Sequence, residues 1–230
     1  MFFRHSSDIW NDFPQLNVGV LHAQGIQGTA SVSDRVRGIW GLATSRLDGK
    51  AEGELSEIQA WRRTFSAMGL KPTQYRCASE SLLRRFRKEG SIPPLNPLVD
   101  LCNAVSLLFA VPIAVFDIAK VTDFLEVRYA SGNETYTPFG GPDEVPEKGE
   151  VVFADESGRA HSRRWTYRQS GYSAVFDSTK DALIVCEALH ETAPNDVPRL
   201  VDTLKCHVAA ISSGTVRGEV FRAPGGEFQL

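Results

Sequence analysis

The spacing of apolar residues changes several times along this 230-residue chain, from a period of two to a helical period and back. Residues 16–21 alternate apolar with polar or small side chains, which is typical of a half-buried strand. Over residues 54–68 the apolar positions recur every three or four residues, and Gly69 follows where a helix would end. The start of the chain therefore predicts a strand and then an amphipathic helix.

Further elements are predicted from capping residues and from short apolar runs. Residues 79–89 begin with the capping residue Ser79 and end at Gly90, and Asn96 with Pro97 can start a helix that runs to residue 109. Apolar runs predict strands at 112–117, 127–129, 151–153 and 174–176. Helices are predicted at 179–189, capped by Thr179, and from residue 195 or 196 to 211.

These elements predict an α+β fold. Strands and helices are mixed without regular alternation, which favours a mixed or antiparallel sheet over a doubly wound parallel one. The sequence contains no internal repeat, low-complexity tract or polar linker. We therefore expect residues 1–230 to form one domain.

Composition excludes several classes of protein. The chain is 42% hydrophobic, which is enough to bury a full core, and no apolar run approaches the roughly 20 residues that cross a bilayer. The first residues lack the basic-then-apolar order of a signal peptide, so we expect a cytoplasmic protein without a membrane partner. A net charge of -3 argues against bulk adhesion to nucleic acid, and RNA binding would depend on local arginine clusters.

Familiar catalytic and metal-binding motifs are absent from the sequence. There is no GxSxG, HExxH, Walker or GxGxxG motif, and the cysteines at 77, 102, 186 and 206 show no metal-binding spacing. We expect no metal and no cofactor.

A polar stripe lies on the otherwise apolar helix predicted at 96–109. Asp100, Asn103 and Ser106 are spaced by three, so they fall near one helix face. Polar groups among apolar neighbours need hydrogen-bond partners or contact with water. The stripe is either a structural network or the wall of a pocket.

Two arginine-containing segments could bind nucleotides or anions. Arg164, Trp165 and Arg168 interleave cationic with aromatic side chains, as in a nucleotide platform or a packed surface strand. Lys71 and Arg76 precede the helix predicted at 79–89, where they could bind an anion. Arg76 could instead pair with a carboxylate such as Glu80 or Asp100.

An ordered set of motifs resembles the free-standing B3/B4 domain family, most strongly over residues 55–190. The matching segments are Gly-Leu-Lys-Pro at 69–72, Tyr75-Arg76, Pro-Pro-Leu-Asn at 93–96, Val99-Asp100-x-x-Asn103, Pro112-x-x-x-Phe116-Asp117 and Arg164-Trp165-x-x-Arg168. The stretch from Val99 to Asp117 is similar to the editing domain of the phenylalanyl-tRNA synthetase beta subunit. Ala114 stands where the synthetase pattern has histidine, and Cys102 where it has threonine.

The resemblance implies a sandwich-like domain flanked by helices, with a pocket that hydrolyses the ester between a wrong amino acid and the tRNA 3′ end. It implies a trans-editing deacylase with Asn103 as a pocket residue. We expect Asn103 and Asp100 to be catalytic, with Asp100 orienting neighbouring polar groups, and Cys102 to be a less favoured nucleophile. The expected binding residues are Lys71, Arg76, Glu80, Ser106, Arg164, Trp165 and Arg168. Because the histidine is missing, a non-catalytic tRNA-binding module and a domain that senses amino acids or other small molecules remain alternatives.

Overall fold

Two β-sheets and a layer of helices account for most of the chain. In the computed structural model, which describes residues 1–47 and 49–230, the helices are α1 (Ser7–Asp12), α2 (Ser33–Leu47), α3 (Ser56–Ala67), α4 (Ala78–Glu89), α5 (Pro97–Phe109) and α6 (Ala193–Ala209). The strands are β1 (Phe2–His5), β2 (Asn17–Gln24), β3 (Ile113–Asp117), β4 (Phe124–Tyr129), β5 (Thr135–Tyr136), β6 (Val151–Asp155), β7 (Arg159–Arg163), β8 (Arg168–Gln169), β9 (Asp181–Ala188), β10 (Val216–Phe221) and β11 (Glu227–Gln229).

The larger sheet is mixed and the smaller one is antiparallel. The larger sheet has the order β11-β1-β4-β6-β7-β5, with β8 paired to β7, and its parallel pairs are β1 with β4 and β5 with β7. The smaller sheet has the order β10-β2-β9-β3, so β3 is an edge strand. In the part of the chain described, no helix is both long and apolar enough to span a bilayer.

The two sheets pack face to face through aromatic and aliphatic side chains. Phe116 on β3 meets Phe153 on β6 with ring centroids 5.2 Å apart, and Val20 and Leu183 belong to the same buried cluster. Alternate residues of the smaller sheet, such as Ile184, pack instead against α2, α5 and α6. The result is the expected α+β sandwich, with helices covering one face of the smaller sheet.

Local capping explains why several helices begin and end where the sequence predicts. The Asn96 side chain accepts a hydrogen bond from the Leu98 N–H at 3.0 Å and caps α5. Gly90 ends α4 with a φ of 71°, a left-handed conformation that glycine adopts without a steric penalty. The helices predicted at 54–68, 79–89 and 96–109 are confirmed, but Ser79 is not a cap: α4 begins at Ala78 after the N-cap Cys77, and Ser79 lies buried in its first turn.

Two predicted elements are wrong. The helix predicted at 179–189 is instead the inner strand β9 (Asp181–Ala188), because a strand buried on both faces shows a continuous apolar run without a period of two. Thr179 does not cap a helix; its hydroxyl donates to the Asp117 carboxylate at 2.7 Å. Residues 174–176 form no strand and belong to an irregular loop, in which the Phe176 N–H donates to the Thr179 hydroxyl oxygen at 3.1 Å.

Candidate functional site

Asn103 lies between two cavities on the exposed side of α5. The larger cavity has a volume of about 700 Å³ and lies between α5, β3 and residues 174–178. The smaller cavity has a volume of about 200 Å³ and lies between α2, the segment before α5, and α5 itself. Asn103 lines both cavities, and its side-chain amide forms no hydrogen bond with any other residue that the structure describes. The amide is therefore available to a ligand.

The larger cavity combines apolar walls with a few polar groups. Val99, Ile113 and Val115 supply apolar surface. Gln169 donates its side-chain N–H to the carbonyl of Val115, while Asn96 donates to Asp177 at 3.0 Å. Such a surface suits an apolar group that carries a small number of polar atoms.

Large hydrophobic side chains surround the mouth of this cavity. Leu95, Phe139 and Phe176 all line it, and they are 73%, 74% and 59% exposed. Apolar side chains clustered at the rim of a cavity indicate a binding surface. The sequence reasoning missed Phe139, although an aromatic residue inside the turn-forming segment Pro138-Phe139-Gly140-Gly141 was a signal for exposure.

Asp100 holds the segment before α5 and lines the smaller cavity. Its Oδ1 accepts a hydrogen bond from the Leu95 N–H at 2.9 Å. Burial raises the pKa of the Asp100 carboxyl, and the backbone N–H groups of Leu95 and Asn96 offset only part of this effect. The Asp100 carboxylate thus accepts a structural hydrogen bond, and its charge is partly removed from water.

Ser106, the third residue of the polar stripe, faces neither cavity. It is buried, and its hydroxyl donates to the carbonyl of Val111 at 2.7 Å, which fixes the turn after α5. The structure therefore divides the stripe into a pocket wall, formed by Asp100 and Asn103, and a structural hydrogen bond at Ser106.

Trp165 lies in the core, away from any surface on which a nucleotide could stack. Its side chain is fully buried and packs edge-on against Trp61, with ring centroids 5.1 Å apart. The indole N–H donates to the Glu187 carboxylate at 2.7 Å, and that carboxylate also contacts His5 at 2.6 Å. Arg164 and Trp165 both have positive φ, 48° and 58°, a strained turn that sends the indole inward and Arg164 outward.

Arg164 forms a cationic and aromatic surface with residues of the loop before α4. Its guanidinium lies 4.8 Å from the centre of the Tyr75 ring, and Tyr75 packs edge-on against Tyr167 at 5.3 Å. The N–H of Ala78 donates to the carbonyl of Thr166 at 2.8 Å and joins the two loops. Tyr75, Arg164 and Tyr167 are called the tyrosine platform below.

Lys71 and Arg76 have different environments on either side of Tyr75. Lys71 is exposed, whereas Arg76 lies 3.4 Å from the buried carboxylate of Glu80. Glu80 is held more closely by two hydrogen bonds from Arg62, at 2.7 and 3.2 Å. The Arg76 pair with Glu80 that the sequence left open is present, and it leaves Glu80 with a structural role.

Arg168 lies on β8, next to the Gln169 that lines the larger cavity. Its guanidinium contacts Glu144 at 3.5 Å and lies 5.5 Å from the centre of the Tyr136 ring. Neighbouring Arg163 is buried in a two-pronged pair with Glu150, at 2.8 and 2.9 Å. Arg168 is therefore part of a surface ion-pair group beside the cavity.

Ala114, at the position of the synthetase histidine, faces away from the larger cavity. It packs against the core between the two sheets, whereas its neighbours Ile113 and Val115 line the cavity. Because successive residues of a strand point to opposite faces, the side chain of Ala114 contacts the core and does not line the larger cavity.

One group of described residues has metal-binding character. Ligand atoms of Glu57, His190 and Asp196 lie within 4.8 Å of one another. Glu57 is already paired with Arg46, and Asp196 accepts hydrogen bonds from Thr192 at 2.5 Å and from His190 at 3.1 Å. The three side chains are therefore explained by ion pairing and hydrogen bonding near the start of α6, without a metal ligand role.

Comparison with known proteins identifies the family. The family model of the B3/4 domain matches residues 60–199. This chain belongs to the B3/4 domain family. The phenylalanine–tRNA ligase beta subunit of Shewanella oneidensis is 26% identical over 169 residues, which cover 74% of this chain and 20% of the relative. That of Fusobacterium nucleatum is 36% identical over 75 residues, 33% of this chain and 9% of the relative.

A solved structure is also similar to this B3/4 protein. An N-terminal fragment of the phenylalanyl-tRNA synthetase beta subunit from Pyrococcus horikoshii aligns over 95% of this chain and 49% of that chain, with a TM-score of 0.47 and 10% identity. The B3/4 protein spans about a fifth of the length of the Shewanella relative.

Proposed function

We propose that this B3/4 protein binds the aminoacylated 3′ end of tRNA and hydrolyses the ester between the amino acid and the ribose. Its family membership and its similarity to phenylalanine–tRNA ligase beta subunits support a tRNA-related function. The observation that carries the proposal is the short distance between the platform and the larger cavity. Tyr167 belongs to the platform and Gln169 to the cavity wall, and they are two residues apart, so their backbones are separated by at most about 7 Å.

The two surfaces suit the two parts of an aminoacyl-tRNA end. A terminal base stacks on Tyr75 or Tyr167, and Arg164 adds a cation beside the same rings. Lys71, which is exposed, contacts a backbone phosphate in this proposal. The amino-acid side chain enters the apolar larger cavity, where Asn103 meets the ester.

Hydrolysis at Asn103 needs no covalent intermediate. The Asn103 amide donates to the ester carbonyl oxygen, and a water molecule attacks the carbonyl carbon. The bond from that carbon to the ribose oxygen then breaks, and the ribose oxygen takes a proton that came from the water. An aminoacyl ester is already activated, so positioning and one well-placed donor can supply several kcal/mol. Asp100 keeps the chain before α5 in place and does not act on the ester.

The test is a panel of tRNAs charged with different amino acids, with ester loss followed over time. We expect accelerated loss for at least one charged tRNA. Asn103→Ala should slow that loss by about 10²–10³-fold, which is typical for removal of one such donor, without weakening tRNA binding. Asn195→Ala, an exposed substitution on α6, is the matched control and should leave the rate unchanged. A panel with no accelerated ester loss would remove the hydrolase proposal.

A non-catalytic tRNA-binding module is the second candidate, and one observation favours it. Among the described residues that line the larger cavity, the only carboxylate is Asp177, which accepts a hydrogen bond from Asn96, and the cavity has no histidine. A module of this kind would protect the ester of bound tRNA instead of cleaving it.

Binding is tested separately from cleavage. Arg164→Ala should weaken tRNA binding by roughly 2–30-fold, since a cation beside an aromatic ring contributes about 0.5–2 kcal/mol. Arg199→Ala removes the same charge from an exposed position on α6 and should have a much smaller effect. Equal effects of the two substitutions would show that binding depends on net charge and not on the platform.

A further inference from the structure

We propose that a row of four arginines on α3, on α4 and just before α4 binds the phosphate backbone of an RNA double helix, which in tRNA is the acceptor stem. The arginine row consists of Arg62, Arg76, Arg84 and Arg87. Arg76 directly follows Tyr75 of the tyrosine platform, so the row begins beside the surface proposed for the terminal base. The row adds a second tRNA-contacting surface to the proposed function, on which the choice of tRNA rests.

Positive charge is concentrated in the segment that carries the arginine row. Residues 60–90 contain eight lysines and arginines and two acidic residues, a net charge of +6. The whole chain has a net charge of -3, so the other residues together carry -9. A separation of charge of this size attracts a polyanion to one part of a protein even when the net charge of the protein is negative.

Two buried carboxylates hold the four guanidinium groups in place. Glu80 accepts two hydrogen bonds from Arg62, at 2.7 and 3.2 Å, and lies 3.4 Å from Arg76. Glu52 lies 3.1 and 2.9 Å from the other two arginines of the row. Each carboxylate therefore orients two guanidinium groups but neutralises only one positive charge, and each set of three side chains keeps a net charge of +1.

The two sets form one continuous surface with its cations outward. The Glu80 and Glu52 side chains are 1% and 5% exposed, whereas the arginine side chains are 32–58% exposed. A Cβ atom at Gly53 would lie 2.8 Å from the Arg62 guanidinium, so this guanidinium packs against the backbone next to Glu52. Because the guanidinium groups are already oriented, a phosphate backbone that binds them loses little further side-chain entropy.

The helix dipole explains only part of the arginine row. A cation near the C-terminal end of a helix is stabilised, which accounts for Arg87. Arg76 precedes the N-terminus of α4, where a cation is disfavoured, and Arg62 lies in the middle of α3. The four side chains thus share a surface and not a position relative to a helix end, as a binding role requires.

A double helix fits this surface better than single-stranded RNA. The aromatic residues of α3 and α4 are Trp61, Phe65 and Phe86, and each is at most 7% exposed. Binding of single strands relies on aromatic side chains on which bases stack, whereas a double helix keeps its bases inside and presents its phosphates. The 12 residues of α4 span about 18 Å, which corresponds to about five phosphates of one strand at roughly 3.4 Å each.

The test uses the full chain and a blunt-ended RNA duplex, which has no single-stranded 3′ end. Binding is followed by fluorescence anisotropy between about 50 and about 200 mM KCl, and we expect it to weaken as salt rises. Arg84→Gln and Arg87→Gln should each reduce the steepness of log binding constant against log salt by about 1, because each removes one phosphate contact. Either variant leaves the other arginine on Glu52, and its thermal unfolding midpoint checks the fold.

Arg85→Gln is the matched control. Arg85 is exposed on the same helix but lies about 100° around it from Arg84 and pairs with Glu89. Its substitution should leave the salt dependence unchanged. Equal effects of Arg85→Gln and Arg87→Gln would show that net charge alone binds RNA and would overturn the proposal.

The remaining outcomes separate the arginine row from the proposed function. Equal affinity for the duplex and for one of its strands alone would overturn the assignment to a double helix, and so would a duplex that does not bind. Neither result alters the deacylation assay, which tests Asn103 with charged tRNA. Conversely, duplex binding by a protein that hydrolyses no charged tRNA would support the arginine row while removing the hydrolase proposal.

Discussion

Trp165 donates its indole N–H to the Glu187 carboxylate at 2.7 Å, and both side chains are buried between the two sheets. The sequence placed Trp165 in a cationic and aromatic segment and so suggested a surface role. The hydrogen bond explains why the ring is inside instead. Glu187 sits on the central strand β9 with His5 as its other partner, and a buried carboxylate needs such donors.

Replacing Trp165 by phenylalanine should destabilise the protein through the loss of this hydrogen bond. Trp61→Phe is the matched control, because Trp61 is equally buried but its indole N–H has no partner among the described residues. Both substitutions remove the same volume. We expect the free energy of unfolding, measured with urea, to fall about 1.5–3 kcal/mol further for Trp165→Phe. Equal losses would show that packing alone keeps Trp165 inside.

The buried carboxylate of Glu80 should matter far more to stability than an exposed carboxylate on the same helix. Glu80→Gln removes the charge that pairs with Arg62 and Arg76, and we expect a loss of about 3 kcal/mol. Glu89→Gln breaks the exposed pair with Arg85 and should cost less than about 1 kcal/mol. Urea unfolding of the two variants checks this, and similar small losses would contradict a structural role for Glu80.

Local sequence signals predicted the helices that begin with a clear cap. Asn96 and Pro97 start α5, and Gly90 ends α4, because capping depends on residues within one turn of each other. The same reasoning failed at β9. Its apolar run is compatible with a helix, and only its pairing with β2 and β3 on both sides makes it a strand.

The candidate site was predictable only in part, because its members meet through long-range contacts. The polar stripe suggested that Asn103 belongs either to a structural network or to a pocket wall, and in the structure Asn103 lies between two cavities. The contact between Tyr75 and Arg164 joins loops that lie far apart in the sequence, so neither motif alone predicts it. The burial of Trp165 likewise depends on Glu187, which no local pattern connects to it.

The cysteines should differ sharply in reactivity, which tests whether a thiol takes part in hydrolysis. Burial raises the pKa of the Cys77 thiol to about 11 and that of Cys186 to about 12, and it also raises the pKa of Cys102. Only Cys206 of the four cysteines is exposed. A thiol reagent should therefore modify one cysteine of the native protein quickly and the others on unfolding. Cys102→Ala should retain any deacylation; a loss of activity in a folded Cys102→Ala protein would favour a thiol nucleophile.

Acid should destabilise the protein in part through Asp155. Burial alone would raise the pKa of this carboxyl, but hydrogen bonding to His161, the Arg159 N–H, Ser157 and the Thr122 N–H outweighs burial and holds the pKa well below its usual range. A lowered pKa in the folded state means that the stabilisation is fully present above the unfolded value of about 3.9 and is lost as the pH falls through and below it.

The measurement is the urea midpoint between pH 7 and pH 3 for the wild type, Asp155→Asn and the exposed control Asp202→Asn. The wild type should lose stability steadily below about pH 5. Asp155→Asn should be less stable at pH 7 and show a shallower decline, because it has no proton to gain at this position. A residual decline should remain, since the pKa values of Glu134, Glu150 and Asp196 are also lowered. If Asp155→Asn declined as steeply as Asp202→Asn, the hydrogen bonds to Asp155 would not be a source of the acid sensitivity.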